Sequence, residues 1–392
     1  MDAIYQNDIN RDVRPAQEGE FEPLALGPLR IWPPVVLAPM AGVTNYPFRA
    51  LCRNYGAGLY VSEMITARGI VNDHPKTLRL AGFGADETPR SLQLYGTDPA
   101  SLGEAARRLV SEGKVDHIDM NFGCPVRKVT SRGGGSAIPL KPKLMRRLVG
   151  AVVQGAGDVP VTIKFRMGVD EDHMTFRDAG RIGEDEGCVA VGMHARTAAM
   201  LYGGEARWEA IGELKQMLSI PVLGNGDIWE AQDALRMMRQ TDCDGVIVGR
   251  GCLGRPWLFR DLADVFDGRE PSNPPTFGEV VDIMIQHAEL VCAWTAEGPG
   301  MRMMRKFCSW YTKSFPGGAK LRPALMLVNS VDDLRAVLAD VDRDTPFPPD
   351  GMRVKRGKTS RQQTVSLPDG YLDELDDDTP PEPGAEVLVS GG

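Results

Sequence analysis

Short, almost wholly apolar runs recur along the chain at 35–38, 59–62, 91–94, 117–120, 161–165, 189–193, 221–223 and 245–248. Such runs, bounded by turn residues, read as buried strands. Segments with helical periodicity lie between most of them, at 99–112, 142–154, 177–186 and 230–239. Strands alternating with helices over about 230 residues predict a (β/α)8 TIM barrel, here spanning 28–267. The rival, a doubly wound open sheet, calls for a glycine-rich fingerprint after its first strand. This chain offers only Ala38-Pro39-Met40-Ala41-Gly42 there, so the barrel is the expectation.

The alternation stops near Asp267, and Pro271-Ser272-Asn273-Pro274-Pro275 reads as a linker. Beyond it, helical patterns over 277–296, 301–314, 319–328 and 331–338 predict a small helical domain within 276–342. Residues 1–27 are polar, show no sustained period and read as an N-terminal extension with little structure of its own. The segment 346–392 reads as a charged tail. It is basic at first (Arg353, Lys355, Arg356, Lys358, Arg361) and then acidic (Asp373, Glu374, Asp376, Asp377, Asp378). Its low apolar content predicts disorder.

Composition adds bounds. Hydrophobic residues make up 42% and charged residues 25%, as in ordinary globular proteins. No apolar run is long enough to span a bilayer, and the first residues lack the basic flank and apolar stretch of a secretory signal. A cytoplasmic protein without a membrane segment is expected. Seven cysteines, an odd number without CxxC pairs, argue against a disulfide framework and a zinc site. The five histidines have no metal-ligand spacing, so no metal is expected. A net charge of −8 argues mildly against an RNA partner, although one basic face can coexist with acidic surface elsewhere.

In a barrel of this kind the C-terminal strand ends face the active site. The first carries Pro39, Met40 and Ala41, the third Gln93, and the fourth Asn121 and Cys124. Lys164 and Arg166 alternate with Phe165 on the fifth and so share a face. His194-Ala195-Arg196-Thr197 closes the sixth, Gly224-Asn225-Gly226-Asp227 the seventh, and Gly249-Arg250 the eighth. Loops after the seventh and eighth strands commonly bind phosphate. Gly226 and Gly249 permit close backbone approach there, and Arg250 complements the charge. A phosphate site together with a lysine inside the barrel points to FMN. Lys164 would lie at the N1–O2 edge of the ring, where positive charge stabilises the reduced flavin, and Gln93 at the pyrimidine edge. Gly123 and Pro125 hold Cys124 out on a turn, which leaves nucleophile, acid and redox roles open. The other six cysteines read as small buried hydrophobes. His74, His117, His173 and His287 sit in no motif.

Taken in order, these segments resemble the bacterial tRNA-dihydrouridine synthase family across residues 30–330. The likeness is carried by Ala38-Pro39-Met40-Ala41-Gly42-Val43-Thr44, Asn121-Phe122-Gly123-Cys124-Pro125, Lys164-Phe165-Arg166-Met167-Gly168, His194-Ala195-Arg196-Thr197, Asn225-Gly226-Asp227 and Gly249-Arg250. Ala195 stands where the family pattern has glycine, and Gly224 where it has a larger residue.

The resemblance implies an FMN enzyme that uses NADPH to reduce the C5–C6 bond of a uridine in tRNA. Cys124 would protonate C5 from the face opposite the flavin. The implied cofactor set is Pro39, Met40, Ala41, Gln93, Lys164, His194, Asn225, Gly226, Asp227, Gly249 and Arg250. Asn121, Lys164 and Arg166 would meet the uridine. The helical domain would add Arg302, Arg305 and Lys306, within a basic patch that also holds Lys313, Lys320 and Arg322 among Trp310, Tyr311 and Phe315. A plainer reading makes that patch the solvated face of a bundle, and Met301, Met303 and Met304 its core fillers. A monomer is expected. A dihydroorotate dehydrogenase-like reductase of small molecules is the alternative enzyme, and it predicts no basic helical domain. A non-catalytic tRNA-binding factor is the other alternative, and it would tolerate loss of Lys164, Asn225 and Arg250.

Overall fold

The computed structural model describes residues 9–56, 58–358 and 362–381. A hairpin of β1 (Leu24–Leu26) and β2 (Leu29–Ile31) precedes eight parallel strands. These are β3 (Val35–Leu37), β4 (Leu59–Thr66), β5 (Ser91–Tyr95), β6 (His117–Phe122), β7 (Val161–Arg166), β8 (Ala190–His194), β9 (Val222–Asn225) and β10 (Gly245–Val248). They close into a barrel in the order β10-β3-β4-β5-β6-β7-β8-β9. Each strand is packed on both faces, by helices outside and side chains inside, which is why it reads as an apolar run rather than an alternation. The expected outer helices form at Pro99–Ser111, Pro142–Ala156, Phe176–Asp185 and Ala231–Thr241.

The N-terminal extension is more structured than its composition suggests. Leu24, Leu26 and Ile31 of the hairpin pack against Val36, Leu59, Val61, Ala190, Leu223 and Ile247 and so plug the barrel floor. Upstream of it, Asn10 Nδ2 donates to Asp233 Oδ1 at 3.1 Å and the Ala16 N–H to the Val265 carbonyl at 2.8 Å. Strands of three residues are too short to show a period, so only the packing reveals them.

After the linker, helices Phe277–Thr295, Glu297–Tyr311, Gly318–Leu325 and Val331–Val337 form the bundle. A capping box of Thr276 and Glu279 starts the first of them. The bundle docks on the barrel helix Tyr46–Arg53 through Phe48, whose ring lies 5.5 Å from His287 and 5.6 Å from Phe307. His287 faces the Tyr311 hydroxyl at 3.1 Å, and burial pulls its pKa down to about 3. It is a neutral core histidine.

Of the expected disordered tail, 359–361 and 382–392 lie outside the described residues, and the rest is ordered against the fold. Phe347, Met352 and Tyr371 are buried, and the Arg356 guanidinium donates to the carbonyls of Trp310, Gly351, Val354 and Lys313. Arg353 pairs with Glu230 and Asp233 at 2.8 and 2.9 Å, and Lys141 with Asp377 at 2.6 Å. Charge content predicts disorder only when the charges lack partners, and these find theirs on the barrel. Arg361 lies outside the described residues.

Candidate active site at the barrel mouth

Cys124 stands just beyond β6 on a loop held from two sides. Asn121 Oδ1 accepts the backbone N–H groups of Gly123 and Cys124 at 3.1 and 3.0 Å. Arg166 Nε donates to the Gly123 carbonyl at 2.9 Å, and its Nη1 to the carbonyls of Thr197 and Leu201 at 3.0 and 2.9 Å. The Asn121 amide is itself oriented. Its Nδ2 donates to Gln93 Oε1 at 2.8 Å, and Gln93 Nε2 donates to Asp119 Oδ2 at 2.7 Å. Asp119 is acceptor-only when ionised, so it fixes which end of each amide faces the next. Burial pushes the Asp119 carboxyl up to about 6, against the hydrogen bonds from Thr162 and Gln93. Burial likewise raises the Cys124 thiol, with the charges of Arg166 and Lys358 opposing. At neutral pH Cys124 keeps its proton.

A cationic cluster lies across the mouth. Lys164 Nζ donates to Asn225 Oδ1 at 3.0 Å, and Asn225 Nδ2 to the Ile247 carbonyl at 2.7 Å. Burial first, and the Arg166 charge second, pull Lys164 down to about 8. Arg196 is fully buried and grips Asp227 with Nη2 2.8 Å from both carboxylate oxygens. Its Nη1 is buried without a partner among the described residues. The Arg250 guanidinium lies 4.8 Å from the Tyr202 ring and 5.3 Å from that of Trp229, and burial lowers it to about 10. His194 sits among Arg166, Lys164, Arg196 and Arg250, and burial, reinforced by their charge, drives it well below its ordinary pKa. Four cations face two carboxylates, Asp227 paired to Arg196 and Asp119 below Lys164. That surplus suits an anion.

The expected residues separate into groups. Pro39, Met40 and Ala41 line the mouth half-buried, with the Met40 N–H donating to Thr44 Oγ1 at 2.9 Å. Only glycine fits the turn after β9 at Gly226, whereas Gly249 leaves the turn after β10 open. A Cβ at Gly226 (φ +134°) would sit 2.6 Å from Ala206 Cβ and 3.6 Å from Arg196 Nη1, and one at Gly249 would meet only Ala38 Cβ at 3.7 Å. The Asp227 carboxylate is occupied by Arg196 and by the Ala206 N–H at 2.7 Å, so it orients a cation rather than facing an anion. Arg166 is buried against backbone carbonyls and fastens the cysteine loop. In the bundle, Lys306 Nζ donates to the Gly42 carbonyl at 2.5 Å and belongs to the mouth. Arg305 instead bonds the Val328 carbonyl and Asn329 at 3.2 and 2.8 Å, and Arg302 is exposed.

Sequence reasoning passed over Arg196, Asp119, Glu63 and Tyr202. Arg196 lies two residues beyond His194 in the same motif. Asp119 is the β6 partner of Gln93 in the sheet register, a carboxylate between Ile118 and Met120. Glu63 accepts the Gly42 N–H at 2.7 Å. No cluster of three or more His, Cys, Asp or Glu side chains suited to a metal occurs among the described residues. None of the described helices is long and apolar enough to cross a membrane. A cavity of about 650 Å³ opens at the opposite end of the barrel, where Arg90 and Asp116 precede β5 and β6.

A closed parallel barrel with a protonated thiol on one side of its mouth and an anion-accepting cationic cluster on the other defines a TIM-barrel enzyme scaffold. The dihydrouridine synthase family model matches residues 36–344, and the chain belongs to that family. It is 52% identical over 379 residues to a probable tRNA-dihydrouridine synthase of Mycobacterium tuberculosis, covering 94% of this chain and 97% of the relative. Identity to tRNA-dihydrouridine synthase B of Pseudomonas aeruginosa is 40% over 317 residues, 81% of this chain and 94% of the relative. Among solved structures, histamine dehydrogenase from Rhizobium sp. 4-9 superposes with a TM-score of 0.51 at 13% identity. That match covers 86% of this chain and 66% of the other, and the likeness is one of fold.

Proposed function

We propose that this chain reduces the C5–C6 bond of a uridine in tRNA, with FMN as its redox group, NADPH as reductant and Cys124 as the acid that protonates C5. The observation that carries this reading is the protonated Cys124 thiol, immobilised by Asn121 and Arg166 and set across the mouth from the cationic cluster. Family membership and the tRNA-dihydrouridine synthases among its relatives support the substrate.

The residues present fit FMN. The buried, unpartnered Arg196 Nη1, the bare backbone at Gly226 and the open turn at Gly249 suit its phosphate, with Arg250 beside them. Lys164, Gln93, Asn225 and the neutral His194 suit the ring edge, and Pro39, Met40 and Ala41 its underside. When bound, FMN supplies the hydride. The chain's own residues do the rest. Asp119, Gln93 and Asn121 form a relay that aims the Cys124 loop, and the second Asn121 N–H, which rests on the weak acceptor Met64 Sδ at 3.6 Å, can exchange it for a uracil carbonyl. The target uridine must leave its stack, at a cost of a few kcal/mol, so unpaired loop uridines suit this mouth best. Lys306 lies where the RNA would enter.

The direct test incubates purified protein with FMN, NADPH and an unmodified tRNA transcript. Dihydrouridine at a defined position is expected, and a transcript left unmodified would refute the reading. The Lys164 charge adds a pH signature. Its ammonium, with a pKa of about 8, attracts the electron-rich ring edge below that pH and is lost above it. Cys124, raised above its ordinary value, keeps its proton through the same window. The affinity of the protein for FMN, read by quenching of flavin fluorescence, should therefore fall several-fold as pH rises through about 8. Lys164→Arg carries a charge that does not titrate there and should remove the step. A wild-type affinity independent of pH in this window would count against a charged Lys164 at the ring.

A further inference from the structure

The family match ends at residue 344, yet the chain continues across the barrel mouth. It is anchored on one side by Met352, Arg353 and Arg356. On the other side it is anchored by Tyr371, whose hydroxyl donates toward the Gly133 and Ala137 carbonyls at 3.3 Å, and by Asp377 on Lys141. Between these anchors it touches both halves of the site. The Lys358 carbonyl accepts from Arg250 Nη1 at 3.2 Å. Gln363 Nε2 donates to the carbonyl of Pro125, next to Cys124, at 2.9 Å, and the Gln363 N–H donates to the Ala199 carbonyl at 2.8 Å. The described parts of this segment thus form a wall of the mouth.

The charge on that wall is one-sided. The Lys358 side chain is exposed and has no ion-pair partner among the described residues, and its field reaches both the Cys124 thiol and the Lys306 ammonium. Lys355 is exposed beside it, its carbonyl accepting from Lys313 Nζ at 2.7 Å. The acidic end of the tail lies elsewhere, with Asp377 and Asp378 paired to Lys141 and Arg147 on the barrel flank. In a protein of net charge −8, Lys358 lies within the field of Lys306, which has Glu63 beside it, and Lys313 Nζ rests on the Lys355 carbonyl, so four lysines lie along this strap and its neighbours. Like charges held together raise the free energy of the unbound protein, and a polyanion offsets that cost by releasing its counterions.

We propose that this C-terminal strap is an RNA-binding element in its own right, with Lys358 contacting a phosphate beside the uridine that enters over Cys124. The proposal rests on the reading of the chain as a tRNA uridine reductase and adds a contact outside the matched family region. Lys358 acts on binding, not on the chemical step.

The test uses the full chain loaded with FMN and a tRNA transcript. Lys358→Ala is expected to raise KM for tRNA about 3- to 10-fold with kcat within about twofold, and to lower the slope of log Kd against log salt by about 1. Lys358→Glu should raise KM further. Arg181→Ala removes an exposed charge from the outer helix Phe176–Asp185 and is the control, expected to match wild type. A KM and salt slope unchanged in both Lys358 variants would overturn the proposal. So would a lowered KM, which would make the strap a competitor of RNA. If wild type binds tRNA with a Lys358-dependent salt slope but forms no dihydrouridine, the strap proposal stands and the reductase reading falls.

Discussion

Replacing Cys124 with alanine is expected to leave FMN bound and to slow dihydrouridine formation by about 10²- to 10⁴-fold, the usual contribution of a positioned general acid. The Cys124 side chain adds only a bond from the Val126 N–H to its loop, because Asn121 and Arg166 fasten the backbone. The loop should therefore keep its shape in the variant, and the loss should fall on the chemical step rather than on tRNA affinity. Cys124→Ser should recover little, since a hydroxyl is a far weaker acid than the thiol it replaces. Single-turnover conversion of a saturating transcript reads this directly. A Cys124→Ala enzyme that converts tRNA at the wild-type rate would remove the thiol from the mechanism.

The second large effect is expected at Arg196. Its guanidinium holds both oxygens of Asp227 and the carbonyls of Gly203 and Gly204, the latter two at 2.9 Å, with the arginine wholly buried and the Asp227 side chain 18% exposed. Arg196→Ala strands the carboxylate and should cost about 3 kcal/mol of stability, as breaking a buried pair does. It also removes the unpartnered Nη1 and leaves Asp227 to repel an incoming phosphate, so FMN affinity should fall at least about tenfold, or about 1.4 kcal/mol. Arg196→Lys should rescue little, because an ammonium cannot reproduce the two-oxygen grip. Chemical denaturation and flavin titration of the variants check both effects. An Arg196→Ala protein as stable as wild type, with unchanged FMN affinity, would show that the cluster does not hold an anion.

The barrel was legible because strands buried on both faces leave continuous apolar runs, and because strand-end positions can be read off their ends. Lys164, His194, Asn225 and Arg250 were found that way and do converge. The bundle's basic patch was read too generously. Neighbouring residues on a helix point about 100° apart, so Lys306 reaches the mouth while Arg305 turns to Val328 and Asn329. Asp119 carried no signal of its own within the run 117–120, and only the sheet register shows that it faces Gln93. The tail was misread because composition averages over charges whose partners lie far away in sequence, as Arg353 does from Glu230 and Asp377 from Lys141.

The account turns on the claim that a uridine of tRNA is the substrate. Mapping dihydrouridine position by position in tRNA from cells lacking this protein tests it most directly. At least one position should lose the modification, regain it with the wild-type chain and not with Cys124→Ala. Dihydrouridine retained at every position in those cells would contradict the account.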